Sequence, residues 1–548
     1  MILLARRLRH FAAIGGRFGS QKLPLSNEKD DSFVTFLAYR GQMCYSMLAV
    51  PDGGKTLPGS KKKGAAMELS SRSPASAGIR SWQWALLLLA AVPLFPEYCC
   101  FLLVAAAAGF AVHDVRARHA RPPKLGYIGV LLLIYIAYTA LSTLWSIKQT
   151  ATLETAAMWL YLFMLYPIVR MTVTDRHRLN TLLLYLTVAA ALVGAIGTAQ
   201  YIIGTVTNTN PIRFWDPLDK IVYRLLPMEI GFTPYKLRAC ATFSNPNVLS
   251  EYLTAMLPVA IVFNTSVAPQ RLRHFTHGCI IAIVSGILFS FSRGGYLALV
   301  AIMLATVLCN IPRRTKTVIA YAFAALLLIP NSVVARMMTV IPGISVGSEI
   351  IDSITRDDED GKDGHHTGSG DRDLDDLINS GPDGAINARW HIWFSLLDDF
   401  RQRPIQGYGA GCAVTWALLR SHGIEAIHAH NIVLQFLVEG GIIAVAIMAL
   451  IALRILRLGL DLLLTPKDSR TFWMGFAVLG FAGAIFLQGL ADYPLMTPKL
   501  VFDLILLLAV GERMAELYPV PRGIPLHARL RAAITGRRVP RSAGERTI

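Results

Sequence analysis

Apolar residues run through most of this chain in stretches too long and too continuous to be one face of a soluble helix. WQWALLLLAAVPLF (82–95), LGYIGVLLLIYIAYTALSTLW (125–145), LNTLLLYLTVAAALVGAIGTAQYIIG (179–204) and IIAVAIMALIALRIL (442–456) scarcely contain a charged position. Several reach the roughly 18–20 residues that cross about 30 Å of hydrocarbon at about 1.5 Å per residue. The pattern predicts twelve membrane spans, at 82–95, 98–113, 125–145, 151–171, 179–204, 248–265, 275–291, 294–310, 316–333, 431–456, 471–489 and 498–515. The expected fold class is therefore all-α, a polytopic transmembrane helical bundle. The first two spans are short and separated by Pro93 and Pro96, which makes one of them a candidate re-entrant segment.

The polar stretches complete the organisation. Residues 1–80 hold arginines, a KKK triplet at 61–63 and Gly, Ser and Pro clusters, and are expected to be a poorly ordered cytoplasmic extension. MILLARRLRHF lacks the apolar stretch and cleavage site of a secretory signal. Helices 1–9 fall within 81–333 and helices 10–12 within 431–516, with a basic tail over 517–548. Two long connections land on one face, 205–247 and 334–430. A loop as long as the second usually has a function. Its middle, 352–383, carries eleven acidic against three basic residues and reads as a solvated insert. After it, ARWHIWFSLLDDFRQRP (388–404) spaces Trp390, Ile392, Trp393, Leu396, Leu397 and Phe400 as an amphipathic helix expected to lie at the membrane interface.

Charge then orients the bundle. Short loops on one side hold sixteen Lys and Arg residues, among them Arg116, Arg178, Arg273, Arg314 and Arg457, against Lys148, Arg293 and Lys499 opposite. Cytoplasmic loops retain basic residues, so both termini are expected inside and the long loops outside, in the periplasm. The net charge of +17 is thus a topology signal and not a nucleic-acid footprint. A hydrophobic content of 53% and a mean hydropathy of +0.46 exclude a soluble enzyme. The seven cysteines form no CxxC pair or metal spacing. Cys240 and Cys412 are the two placed in outer loops.

Three constellations stand at the outer face. In FSFSRGGYLAL (289–299), Arg293 and two glycines join two spans with almost no loop. A guanidinium at that depth costs about 3 kcal/mol or more unless it reaches water or an anion, and the next helix starts there. In RACATFSNPNVLSEYL (238–253), Arg238 is suited to a bidentate phosphate contact; Asn247 is a candidate cap that shares a helix face with Glu251. In IHAHNIVLQFLVEGG (427–441), Asn431, Gln435 and Glu439 follow i, i+4, i+8 and should face the bundle interior. A histidine at the rim of that helix suits a general base acting on a hydroxyl. HAH has no third ligand at a telling spacing, so no metal site is expected.

Taken together, these motifs, with RWHIW and RPIQGYGAG between them, resemble the O-antigen ligase and O-antigen polymerase superfamily of bacterial membrane glycosyltransferases over residues 80–548. The resemblance implies a GT-C type fold and an undecaprenyl-diphosphate-linked glycan donor presented at the periplasmic face of the inner membrane. It implies that Arg238 and Arg293 hold the diphosphate, that His430 takes a proton from the acceptor hydroxyl, and that Arg389, Asn247, Asn431 and His428 contribute to substrate binding. A single inverting displacement then needs no metal and no cofactor. Within the family, twelve spans and one large loop before the last three match the ligase, whose acceptor is lipid A core oligosaccharide. A polymerase, a protein O-oligosaccharyltransferase and, from another class, a lipid-linked glycan exporter are the alternatives; an exporter usually shows internal repeats, which this chain lacks.

Overall fold

A computed structural model describes residues 79–120, 123–207, 214–215, 238–308, 381–465 and 470–520, with the side chains of 381–388 and Leu308 left aside. The N-terminal extension, the expected span at 316–333, the acidic insert up to residue 380 and the tail from 521 lie outside the described residues.

Every regular element among the described residues is helical: α1 Ser81–Ala91, α2 Cys99–Ala117, α3 Tyr127–Ser142, α4 Gln149–Phe163, α5 Leu165–Thr172, α6 Arg176–Thr207, α7 Pro246–Val262, α8 Arg273–Phe289, α9 Arg293–Leu308, α10 Gly381–Gln402, α11 Cys412–Ser421, α12 Ile432–Leu463, α13 Arg470–Gly489 and α14 Pro498–Leu517. Seven membrane-crossing lengths result: α2, α4 with α5, α6, α7 with its following turn, α8 with its preceding turn, α12 and α13. The helices α1, α3 and α9 are shorter and apolar. This is a helical membrane bundle. Pro167 explains why α4 and α5 are separate helices, because its ring meets the carbonyl of Phe163 and supplies no N–H. Large apolar residues such as Leu102 and Leu304 remain exposed on outward faces, where lipid rather than water is the natural neighbour.

At the centre stands α7, buried around nearly its whole circumference. It packs against α6, α8, α9 and α13. Close approach depends on glycine at Gly295, where an added Cβ would overlap Ser250 Oγ of α7. At Gly295, the second glycine of the SRGG turn, the space left by the missing Cβ is thus filled by protein.

The ends of the bundle differ in chemistry. At one end Arg178 pairs with Asp114 at 2.8 Å, Arg170 with Glu516 at 2.8 Å, and Arg176 Nε donates to the Leu517 carbonyl at 2.9 Å. At the other end segment 404–411 lies along a kink in α12: Tyr408 N donates to the Val438 carbonyl at 3.0 Å and Ile442 N to the Pro404 carbonyl at 2.9 Å. The kink is at Gly441, whose φ of +63° lies in the left-handed region and whose missing Cβ leaves room for the Ile405 carbonyl. Above it α10 and α11 enclose a second small core around Leu396, Val414, Leu419 and Val438. The amphipathic helix expected at the membrane interface thus turns Ile392 and Leu396 into protein. Cys240 and Cys412 are not bridged to each other.

Candidate active site

The second end of the bundle brings together residues from four separate parts of the chain. Arg238 approaches the turn between α8 and α9, and its Nε donates to the Ser290 carbonyl at 3.0 Å, three residues before Arg293. Its Nη2 donates to Asn247 Oδ1 at 2.9 Å. Asn247 was a candidate helix cap, but the cap is Asn245, whose side chain accepts from Asn247 N at 2.7 Å. The sequence held that signal, because Pro246 suits the first helical position and the residue before it is then the cap. Released from capping, the Asn247 amide spans two partners, and its Nδ2 donates to Asp492 Oδ2 at 3.0 Å.

Asp492 belongs to the short connection between α13 and α14, where no motif in the sequence marks it. Its other oxygen, Oδ1, is 3.2 Å from His430 Nδ1, accepts from Tyr493 N at 2.8 Å, and lies 3.9 Å from His428 Nε2. Burial alone would raise this carboxyl. The hydrogen bond from His430, the two neighbouring imidazoles and the Tyr493 N–H outweigh burial and hold it well below the usual carboxylate range. Asp492 is therefore ionised, and His430 presents Nδ1–H to it. That tautomer leaves His430 Nε2 as the acceptor.

His428 is arranged differently. Its Nδ1 accepts from His430 N at 3.2 Å, so its Nε2 carries the proton. Burial, then His430, with a smaller contribution from Arg389, pushes its imidazole down to about 3, which keeps it neutral. His428, His430 and Asp492 are a metal-capable trio with ligand atoms within 4.8 Å. Asp492 thus supplies, from 62 residues along the chain, the third group that the HAH spacing alone lacks.

Three helices hold the histidine loop. Trp393 Nε1 of α10 donates to the Ala429 carbonyl at 2.8 Å. Gln435 Oε1 of α12 accepts from Ala429 N at 2.7 Å, while its Nε2 donates to Glu439 Oε1 at 2.6 Å and Thr415 Oγ1 at 2.8 Å. Asn431 caps α12 by accepting from Val433 N and Leu434 N, and its Nδ2 donates to the Leu490 carbonyl at 3.1 Å. Of the expected polar stripe, Gln435 and Glu439 are interior and Asn431 is the cap. Arg389 sits at the same loop, close enough for its charge to bear on His428.

Residues 278–449 match the family model for O-antigen ligase. This stretch, about a third of the chain, is similar to that family, consistent with the resemblance to the O-antigen ligase and polymerase superfamily. No curated protein matches the chain. The O-antigen ligase match takes in Arg293, Arg389, His428, His430 and Asn431, whereas Arg238, Asn247 and Asp492 lie outside it. The fold brings those three to the matched region.

Proposed function

We propose that the protein is an O-antigen ligase, moving a glycan from undecaprenyl diphosphate to lipid A core oligosaccharide at the periplasmic face of the inner membrane. The reading is carried by Asp492, whose carboxylate joins Arg238 through Asn247 on one oxygen and His430 on the other. An anion-binding guanidinium and a hydroxyl-deprotonating imidazole are the two groups that displacement of a diphosphate by an alcohol requires. The acceptor oxygen attacks the anomeric carbon, its proton passes to His430 Nε2, and the bond to the diphosphate oxygen breaks with its electron pair. Arg238 and Arg293 stabilise the departing charge; the planar fork of arginine matches phosphate oxygens. Asp492 stabilises the imidazolium formed on His430. A single displacement inverts the anomeric centre. Because the diphosphate is already activated, His430 and the arginines suffice and no metal is required.

The test is glycan transfer by the purified full chain with an undecaprenyl-diphosphate glycan, lipid A core and chelator, for wild type and His430→Ala. Transfer to lipid A core that is lost in the variant is the expected result. Chain growth on a second donor molecule without core attachment would make the protein a polymerase, and no transfer to either acceptor would overturn the enzymatic reading.

A further inference from the structure

Beside the histidine loop, the exposed face of α10 carries an aromatic pair that the proton and anion chemistry does not use. Trp390 and Phe394, one helical turn apart, are 49% and 61% exposed. Their rings stack at 5.8 Å with 25° between planes. Trp390 also meets Trp393 edge to face at 5.1 Å. Trp393 in turn bonds the carbonyl of Ala429, the residue between His428 and His430. The exposed pair is thus one ring removed from the loop that carries the base.

The same face continues into Asp398 and Arg401, an ion pair at 2.6 Å whose side chains are 63% and 75% exposed. Charges so placed belong in water and not in hydrocarbon. A ligand for this face must therefore offer an apolar patch to the rings and polar groups to the surrounding water. A sugar ring has that form: C–H bonds project from one face and hydroxyls from its edge. Its C–H hydrogens, partly positive, meet the negative face of an aromatic ring.

Contacts run from Arg238 through Asn247 and Asp492 to His430, and onward through Ala429 to Trp393 and Trp390. In an inverting displacement the nucleophile arrives opposite the leaving group, so the acceptor is held past the base from the diphosphate arginine. The aromatic pair stands at that end of the run. We propose that Trp390 and Phe394 form a stacking platform for a sugar ring of the acceptor glycan, adjacent to the sugar whose hydroxyl His430 deprotonates. The proposal rests on the transfer reaction above and adds the acceptor subsite.

The full chain in lipid nanodiscs provides the test, with delipidated lipid A core oligosaccharide as probe. In steady-state transfer, Trp390→Ala is expected to raise the acceptor KM about tenfold, with kcat and donor KM within about twofold, and Trp390→Phe to recover most of the loss. Direct titration of the oligosaccharide should quench tryptophan fluorescence in wild type and much less in Trp390→Phe. An unchanged acceptor KM, or a rise confined to the donor KM, would overturn the platform. Quenching of Trp390 by brominated lipids would also overturn it by placing the ring in the bilayer. If wild type binds the oligosaccharide through Trp390 but transfers nothing, the reaction fails and the sugar site stands.

Discussion

Asp492→Asn is the sharpest test of the site, because the substitution keeps size and shape and removes only the charge and one acceptor. The native carboxylate accepts from His430, Asn247 and Tyr493 at 3.2, 3.0 and 2.8 Å. An asparagine there can keep its oxygen on the His430 and Tyr493 side only by turning its NH2 toward the Asn247 NH2. Flipping Asn247 in response would set its NH2 against Arg238 Nη2, which now donates to it at 2.9 Å. One unmade bond therefore travels along the chain, whichever amide turns. A hydrogen bond to a charged group contributes roughly 1.5–3 kcal/mol, and the imidazolium formed during transfer also loses its carboxylate. The expected cost is about 3 kcal/mol in the transition state, or about 10²-fold in kcat. The assay is transfer by purified, reconstituted protein at saturating donor and acceptor, with the melting temperature recorded alongside. A variant that melts like wild type and turns over within about threefold of it would refute the coupling of Asp492 to His430.

Two further outcomes follow from geometry outside the reacting groups. Gly441→Ala places a Cβ against the Ile405 carbonyl at a φ of +63°, so it should destabilise the protein by about 2–4 kcal/mol; an unchanged melting temperature in detergent would contradict that packing. His428 is held down to about 3 in the fold, whereas an unfolded histidine takes a proton near 6.5. Between those values the unfolded state binds the extra proton, so stability falls as pH falls, by about 2 kcal/mol from pH 7 to pH 5. His428→Gln should flatten that part of the pH dependence in denaturation measurements, and an unaltered slope would show that His428 is not buried neutral.

The bundle was legible because continuous apolar runs of membrane-crossing length have few other folds open to them. The arginine and histidine motifs were legible for the same reason, as polar groups at span mouths stand out against hydrocarbon. Asp492 was not. It is a single acid in a short connection, 62 residues from His430 and 245 from Asn247, and spacing on that scale carries no period. The partner of the α10 apolar face was equally hidden, because amphipathic spacing marks a buried face without saying whether protein or lipid buries it. Here Ile392 and Leu396 meet Val414, Leu419 and Val438 rather than the bilayer.

The backbone of His430 shows why the neighbouring elements matter to the chemistry. Its φ of +48° is left-handed, a conformation that costs a side-chain-bearing residue about 1–2 kcal/mol. Such a residue persists only where its surroundings fix it. On one side Ala429 is held through both N–H and carbonyl, by Gln435 and Trp393; on the other, Asn431 starts α12 and ties it to the end of α13 through Leu490. The reversal between those fixed points turns the His430 ring onto Asp492, which itself follows Leu490 by two residues. His430 and Asp492 are therefore positioned by the same α12–α13 contact, so a movement that shifted one would carry the other with it. Pre-organisation of this kind suits the proposed mechanism, in which a transient imidazolium is stabilised without rearrangement. Under that mechanism, loosening either anchor, at Trp393 or at Gln435, would act on transfer through His430 without touching a substrate.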